Sequence, residues 1–173
     1  MEKAASETLR EYSMDDAARM LFEELGVAVS SARVAQFVES YLDDWTEAVE
    51  GLPNLSNWLK TVSASKSVLS NTHHEPMVEG LLDRLGIRAS FDHVTTSIGH
   101  GFRKPHPSIY LAHLECIGIH ASDAIFVGDN VECDYFGPRA VGIEAYLIAP
   151  RPVGGIPERH RLTDLYQLHD RLG

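Results

Sequence analysis

The sequence predicts an α/β protein: a doubly wound parallel sheet with helices on both faces, preceded by an α-helical segment. Two observations carry this reading. From Lys66 onward, short apolar runs alternate with helical patterns of about ten residues, closed by Gly86, Gly118 and Gly142. Before Lys66, the apolar residues recur at helical spacing alone. The division expected is a helical segment over residues 1–62 and an α/β core over 63–173.

In the N-terminal segment, Ser13 followed by Asp16 makes a capping box, and Ala17, Met20, Leu21 and Leu25 share a face before Gly26 stops the helix. Ser31 caps a second helix whose stripe is Val34, Phe37, Val38, Tyr41, Leu42 and Trp45. Pro53 and Asn54 start a short third helix burying Leu55, Trp58 and Leu59. The core then reads strand 67–70, helix 77–85, strand 91–97, helix 108–117, strand 124–127, helix 131–141 and strand 144–148. A Pro/Gly-rich loop follows, and Leu165, Leu168 and Leu172 mark a closing helix.

Composition narrows the function. Lys+Arg 15 against Asp+Glu 25 gives a net charge of −10, which argues against nucleic acid and anionic membranes as partners. No apolar run reaches the length of a membrane span and nothing resembles a signal peptide, so a cytoplasmic location is expected. Cys116 and Cys133 have no metal-ligand spacing and read as reduced thiols.

Three groups of chemistry-bearing residues fall at or just beyond the carboxyl ends of successive strands, where open α/β sheets bind ligands. Ser70, Asn71 and Thr72 follow the first strand, Lys104 precedes the helix after the second, and Asp129, Asn130 and Asp134 follow the third. Each alone has an ordinary explanation: a turn, a solvated lysine, a helix cap. Together they suit an anionic phosphoryl group, with a hydroxyl and backbone N–H groups to donate and Lys104 to neutralise. Asp129 and Asp134 repel unless a cation offsets them, and oxygen-preferring Mg²⁺ fits that role. His73 is a further candidate for contacting substrate, weighed against plain polar surface, and no histidine spacing argues for zinc.

These residues resemble the motifs of the haloacid dehalogenase superfamily, Rossmann-like hydrolases that are mostly Mg²⁺-dependent phosphatases. Val68-Leu-Ser-Asn-Thr72 is similar to the second motif, Gly101-Phe-Arg-Lys-Pro-His-Pro107 to the third, and Gly128-Asp-Asn-Val-Glu-Cys-Asp134 to the fourth. The resemblance implies that Ser70 binds phosphate with Asn71, that Lys104 is catalytic and also holds phosphate, and that Asp129 and Asp134 serve the metal. It also implies that most of residues 10–60 form an α-helical cap, and that the ligand is a small phosphorylated or otherwise anionic metabolite. Halide removal from a haloacid is a weaker alternative.

One motif is missing. The family's first motif is an apolar strand ending in Asp-x-Asp, which supplies the nucleophile, the general acid/base and a metal ligand, and no Asp-x-Asp occurs in this chain. Asp15-Asp16 and Asp43-Asp44 lie in helical patterns. Without that strand the chain is expected to be inactive alone and to hold Mg²⁺ weakly or not at all. The strand belongs between 67–70 and 124–127, so its loss leaves unpaired backbone edges or forces those two strands together. Three explanations stay open: a truncated hydrolase, a non-catalytic binding or assembly relative, or a strand supplied by a dimer mate or another chain.

Overall fold

The computed structural model describes residues 8–171. Three helices come first: α1 (Met14–Glu24), α2 (Ser31–Glu47) and α3 (Leu55–Thr61). The Ser13–Asp16 capping box forms, Asp16 N–H donating to Ser13 Oγ at 3.1 Å and Ser13 N–H to Asp16 Oδ2 at 3.4 Å. The buried face of α1 is rotated from the one expected: Ala18 and Phe22 are buried, while Leu21 and Leu25 are 40% and 66% exposed. The reason is the partner. Val34 and Val38 of α2 meet Ala18 and Phe22, and Phe22 packs edge-on to Phe37 with ring centroids 5.4 Å apart. The cap of α2 is Ser30, one residue before the expected Ser31, and Tyr41 and Trp45 stay exposed. Asn54 precedes α3 in a left-handed conformation, and its side chain does not cap the helix.

The α/β part follows as β1 (Ser67–Ser70), α4 (Glu75–Arg84), β2 (His93–Thr96), a short α5 (Ser97–His100), α6 (Pro107–Ile117) and β3 (Ile125–Gly128). The stretch after β3 is one turn of π-helix, Val131–Phe136, running into α7 (Gly137–Ala140), rather than the single α-helix expected over 131–141. Then come β4 (Glu144–Ile148) and β5 (Arg161–Leu162). The last is a two-residue strand that the Pro/Gly-rich sequence does not reveal. The closing helix is 3₁₀, Leu165–Arg171, and Leu172 lies outside the described residues.

Among the described residues every strand pair is parallel, beside one isolated antiparallel bridge between Arg10 and Phe102, and helices lie on both sides. Leu59, Val78 and Leu82 cover one face against Val68 and Val94, while Ile109, Tyr110 and Leu114 cover the other against Leu69 and Phe126. The strands of the described residues form two sheets, β1–β2 and β3–β4–β5. Among the described residues, β1 and β3 are not paired with each other, so the first of the two expected outcomes of the missing strand is the one observed. Ile125 on β3 is 42% exposed, unusual for a strand in a parallel sheet covered on both faces. Helix α6 spans the break, since its residues pack on both Leu69 of β1 and Phe126 of β3.

One polar clip fastens α6 to the first sheet. His113 sits 2.8 Å from Ser67 Oγ through Nε2 and 2.7 Å from Thr95 Oγ1 through Nδ1. Burial pushes its imidazole down to about 4, with His93 and Lys104 adding to the effect, so the ring is neutral and each nitrogen meets a hydroxyl able to donate or accept.

Candidate anion-binding site

β1 ends at Ser70, and the loop beyond it is held from both sides. Asn71 bonds reciprocally with the backbone of Lys104: its Oδ1 accepts from Lys104 N–H at 2.8 Å and its Nδ2 donates to Lys104 C=O at 3.0 Å. The same carbonyl accepts from Cys133 Sγ at 3.3 Å. Thr72 is buried, and its N–H donates to Ser97 Oγ at 2.9 Å. The Ser70 hydroxyl makes only a long 3.4 Å contact with Asn71 C=O.

Lys104 and Asp134 form a buried ion pair. Nζ lies 2.6 Å from Oδ1, with side chains 10% and 8% exposed. The other oxygen, Oδ2, accepts from Asn130 N–H at 3.0 Å. Nζ also sits 5.2 Å from the centre of the Phe126 ring. The backbone at Gly128 makes room for this arrangement, since a Cβ there would lie 2.6 Å from the Asp134 Cβ. The π-turn that aims Asp134 is anchored by Asn130, whose Oδ1 accepts from Glu132 and Cys133 N–H groups at 3.1 and 2.9 Å. Tyr110 Oη donates to Cys133 C=O at 2.5 Å and braces the turn from α6.

The carboxylate pair expected to hold Mg²⁺ is divided. Asp129 is exposed, whereas both oxygens of Asp134 are engaged by Lys104 and Asn130. Among the described residues no group of three His, Cys, Asp or Glu side chains comes together around a metal-sized space. Mg²⁺ prefers six oxygen ligands, usually including one or two carboxylates besides waters and phosphate. Asp129 alone does not make such a site.

A second polar cluster lies at His73. Glu11, whose side chain is fully buried, places Oε1 2.9 Å from His73 Nδ1 and accepts from Ser97 Oγ through Oε2. Arg103 Nε lies 4.0 Å from the same Oε2. His73 Nδ1 is also 3.0 Å from Tyr12 C=O, and the ring stacks on Tyr12 at 4.5 Å. Burial works to raise the Glu11 carboxyl, but the bonds from His73 and Ser97 and the charges of His73 and Arg103 outweigh it and hold it below the usual range. The bond to Glu11 raises His73, against a smaller opposing effect of burial.

A groove of about 580 Å³ opens between α2 and α4. His74 and, along α4, Met77, Leu81 and Arg84 line it together with Val38 and Leu42 of α2, and Ser70 is not part of its lining. Arg84 Nη2, in its lining, donates to the Thr46 and Val49 carbonyls.

Of the residues picked from sequence, Asn71, Lys104 and Asp134 interlock directly, with Ser70 next in the chain. Asp129 faces outward, and His73 belongs to the neighbouring Glu11 cluster. Sequence reasoning missed Glu11, Tyr12 and Ser97. Ser97 carried a usable signal, because it stands at the carboxyl end of a strand pattern, directly after β2.

Parallel α/β chains with polar clusters beyond their strand ends form the class of open-sheet proteins that bind ligands at that rim. A family model described as a hydrolase, haloacid dehalogenase-like hydrolase, matches residues 5–142. The chain belongs to that family. It is 33% identical over 164 residues to the human haloacid dehalogenase-like hydrolase domain-containing protein 3, covering 88% of this chain and 64% of that relative. It thus spans less than two thirds of that protein's length. It is 38% identical over 61 residues to a glyceraldehyde 3-phosphate phosphatase of Pyrococcus abyssi, 35% of this chain and 26% of the phosphatase. The 2-haloacid dehalogenase of Pseudomonas syringae shares the fold, with a TM-score of 0.71 and 22% identity over 90% of this chain and 69% of the other. No helix among the described residues is long and apolar enough to cross a membrane.

Proposed function

We propose that this chain carries the phosphate-binding part of a phosphohydrolase acting on a small phosphorylated metabolite, and that it is inactive without an added strand. The observation that carries this reading is the junction of Asn71, Lys104 and Asp134 beside the uncommitted Ser70 hydroxyl. In this reading Ser70 and the loop N–H groups donate to phosphoryl oxygens. Lys104 supplies charge once an incoming anion competes with Asp134 for its ammonium group. Residues 10–60 act as most of the cap over the rim. Mg²⁺, if bound, would take Asp129 as one ligand and offset phosphoryl charge, but it needs carboxylates that the described residues do not provide.

The break between β1 and β3 is where a completing strand would lie, from a dimer mate or another chain segment. The two strands, Ser67-Val-Leu-Ser70 and Ile125-Phe-Val-Gly128, each carry apolar residues and no charge, so an extended apolar strand could pair with both. The test is hydrolysis of p-nitrophenyl phosphate with Mg²⁺ by the chain alone, then with an apolar peptide ending in Asp-x-Asp added or fused. No turnover alone and turnover on complementation, lost again in Asp129→Asn, is the expected result. Turnover by the unaided chain would place a nucleophile within it and overturn the reading.

A second reading, a non-catalytic anion-binding or assembly module, is favoured by the two engaged oxygens of Asp134. It predicts phosphate binding with no turnover under any complementation.

A further inference from the structure

Lys104 has the expected charge for an anion site, yet Asp134 already neutralises it at 2.6 Å. An arriving phosphoryl group must compete with Asp134 for that charge, so positive charge from elsewhere would strengthen the site. The neighbouring cluster is a source of it. A protonated His73 and Arg103 carry two positive charges against one on Glu11, a surplus of one. His73 is three residues beyond Ser70 on the same loop, and Arg103 immediately precedes Lys104.

The orientation of the imidazole is settled by its partners. Nδ1 faces two acceptors, Glu11 Oε1 at 2.9 Å and Tyr12 C=O at 3.0 Å, so it must carry a proton. Tyr12 stacks against the ring and fixes its plane. Nε2 has no hydrogen-bond partner among the described residues, and the side chain is 27% exposed. Glu11 itself is pinned by Ser97, and its backbone N–H donates to Gly101 C=O at 3.0 Å. A fold gains little by burying a carboxylate merely to tie down a chain segment, because the desolvation cost is large. Holding an imidazole with one nitrogen committed and the other open is the arrangement that carboxylate–histidine pairs serve in binding and catalytic sites.

We propose that Glu11 and His73 form a second arm of the anion site, in which Glu11 positions the ring through Nδ1 and Nε2–H donates to an oxygen of a phosphate monoester held at Ser70. This rests on the anion-site reading above and adds to it a donor that the family motifs do not include. Glu11 is a positioning residue, and His73 touches the ligand. The arm depends on pH. The groups that face the ring are Glu11, Tyr12 and Arg103, and of these Glu11 favours the charged form while Arg103 opposes it. As pH rises through the His73 value, Nε2 loses its proton and the donor becomes an acceptor that repels the phosphoryl oxygen.

The test is a titration of the full chain with inorganic phosphate, followed by long-range ¹H–¹⁵N correlation of the imidazoles and by backbone amide shifts. His73→Gln assigns the ring signals. The expected result is a saturable shift of His73 Nε2 together with the Ser70 and Asn71 amides. Affinity should weaken about tenfold in His73→Gln and comparably in Glu11→Gln, as the loss of one charge-assisted hydrogen bond implies. In His73→Gln binding should lose its weakening at high pH, and in Glu11→Gln that weakening should move to lower pH, because the ring remains but no longer has the carboxylate that raises it. Saturable shifts at Ser70 and Asn71 with none at His73 Nε2 would make the pair a structural clamp and overturn the proposal, leaving the anion site standing. No saturable shift at any of these positions would overturn both. The wild-type titration decides the matter even if a variant folds poorly.

Discussion

Asp134 receives the ammonium group of Lys104 on one oxygen and the Asn130 N–H on the other, with both charged side chains almost wholly buried. Removing one partner strands the other charge. Lys104→Met should therefore destabilise the chain by about 3–5 kcal/mol. The double variant Lys104→Met/Asp134→Leu should recover much of that loss, because no buried charge is left. Urea unfolding of the three proteins measures the difference, and equal loss in the single and double variants would show that the pair is not the source.

Gly128 is the close-approach point behind that carboxylate. Gly128→Ala would drive a methyl group to 2.6 Å from the Asp134 Cβ, against a side chain held at both oxygens and unable to swing away. The expected outcome is a loss of about 1–3 kcal/mol, the usual penalty of overpacking, and weakened phosphate binding. Unchanged binding would mean that the π-turn shifts freely and does not position Asp134.

His113 predicts the acid side of the stability curve. Its folded value is depressed to about 4, mainly by burial, while the unfolded value is about 6.5. The unfolded chain thus binds the extra proton first, and stability is lost as pH falls from about 6.5 to about 4, by an amount on the order of 3 kcal/mol. Below that window both states are protonated and the effect stops growing. His113→Gln should flatten this part of the profile in urea unfolding between pH 4 and 7, and an unaltered slope would assign the effect to other groups.

His73 and Glu11 act with the opposite and the ordinary sign respectively. His73 is raised by Glu11, so its contribution is full below about 6.5 and is lost as pH rises through its folded value. Glu11 is lowered despite its burial, so its contribution is full above about 4.3 and is lost as pH falls through its folded value. The pair therefore contributes fully between those two values. The stability difference between wild type and His73→Gln should shrink on the alkaline side, and a difference constant from pH 5 to 9 would sink the assignment.

What could be read in advance follows from how local each signal is. Ser70, Lys104 and Asp134 stand at fixed offsets from strand ends, so the chain itself announces them. Glu11 does not: its Ser97 partner is 86 residues away, and a glutamate in a polar stretch has no pattern that marks it as buried. The rotated face of α1 is similar, because Ala18 and Phe22 are chosen by Val34 and Val38, which the periodicity of α1 alone cannot weigh. The division of Asp129 from Asp134 depends on the π-turn, whose extra residue per turn changes where the second carboxylate points.

The break in the sheet bears on how this chain behaves at high concentration. Among the described residues, two separate sheets present four strand edges where one continuous sheet presents two. The edge of β3 left unpaired among the described residues runs Ile125-Phe-Val-Gly128, with no proline and no charge, the composition that recruits foreign strands. The net charge of −10 keeps copies apart at low ionic strength, but salt screens it. A strand added between β1 and β3 would thus also decide solubility, and the chain without one should precipitate or form fibres as salt is raised.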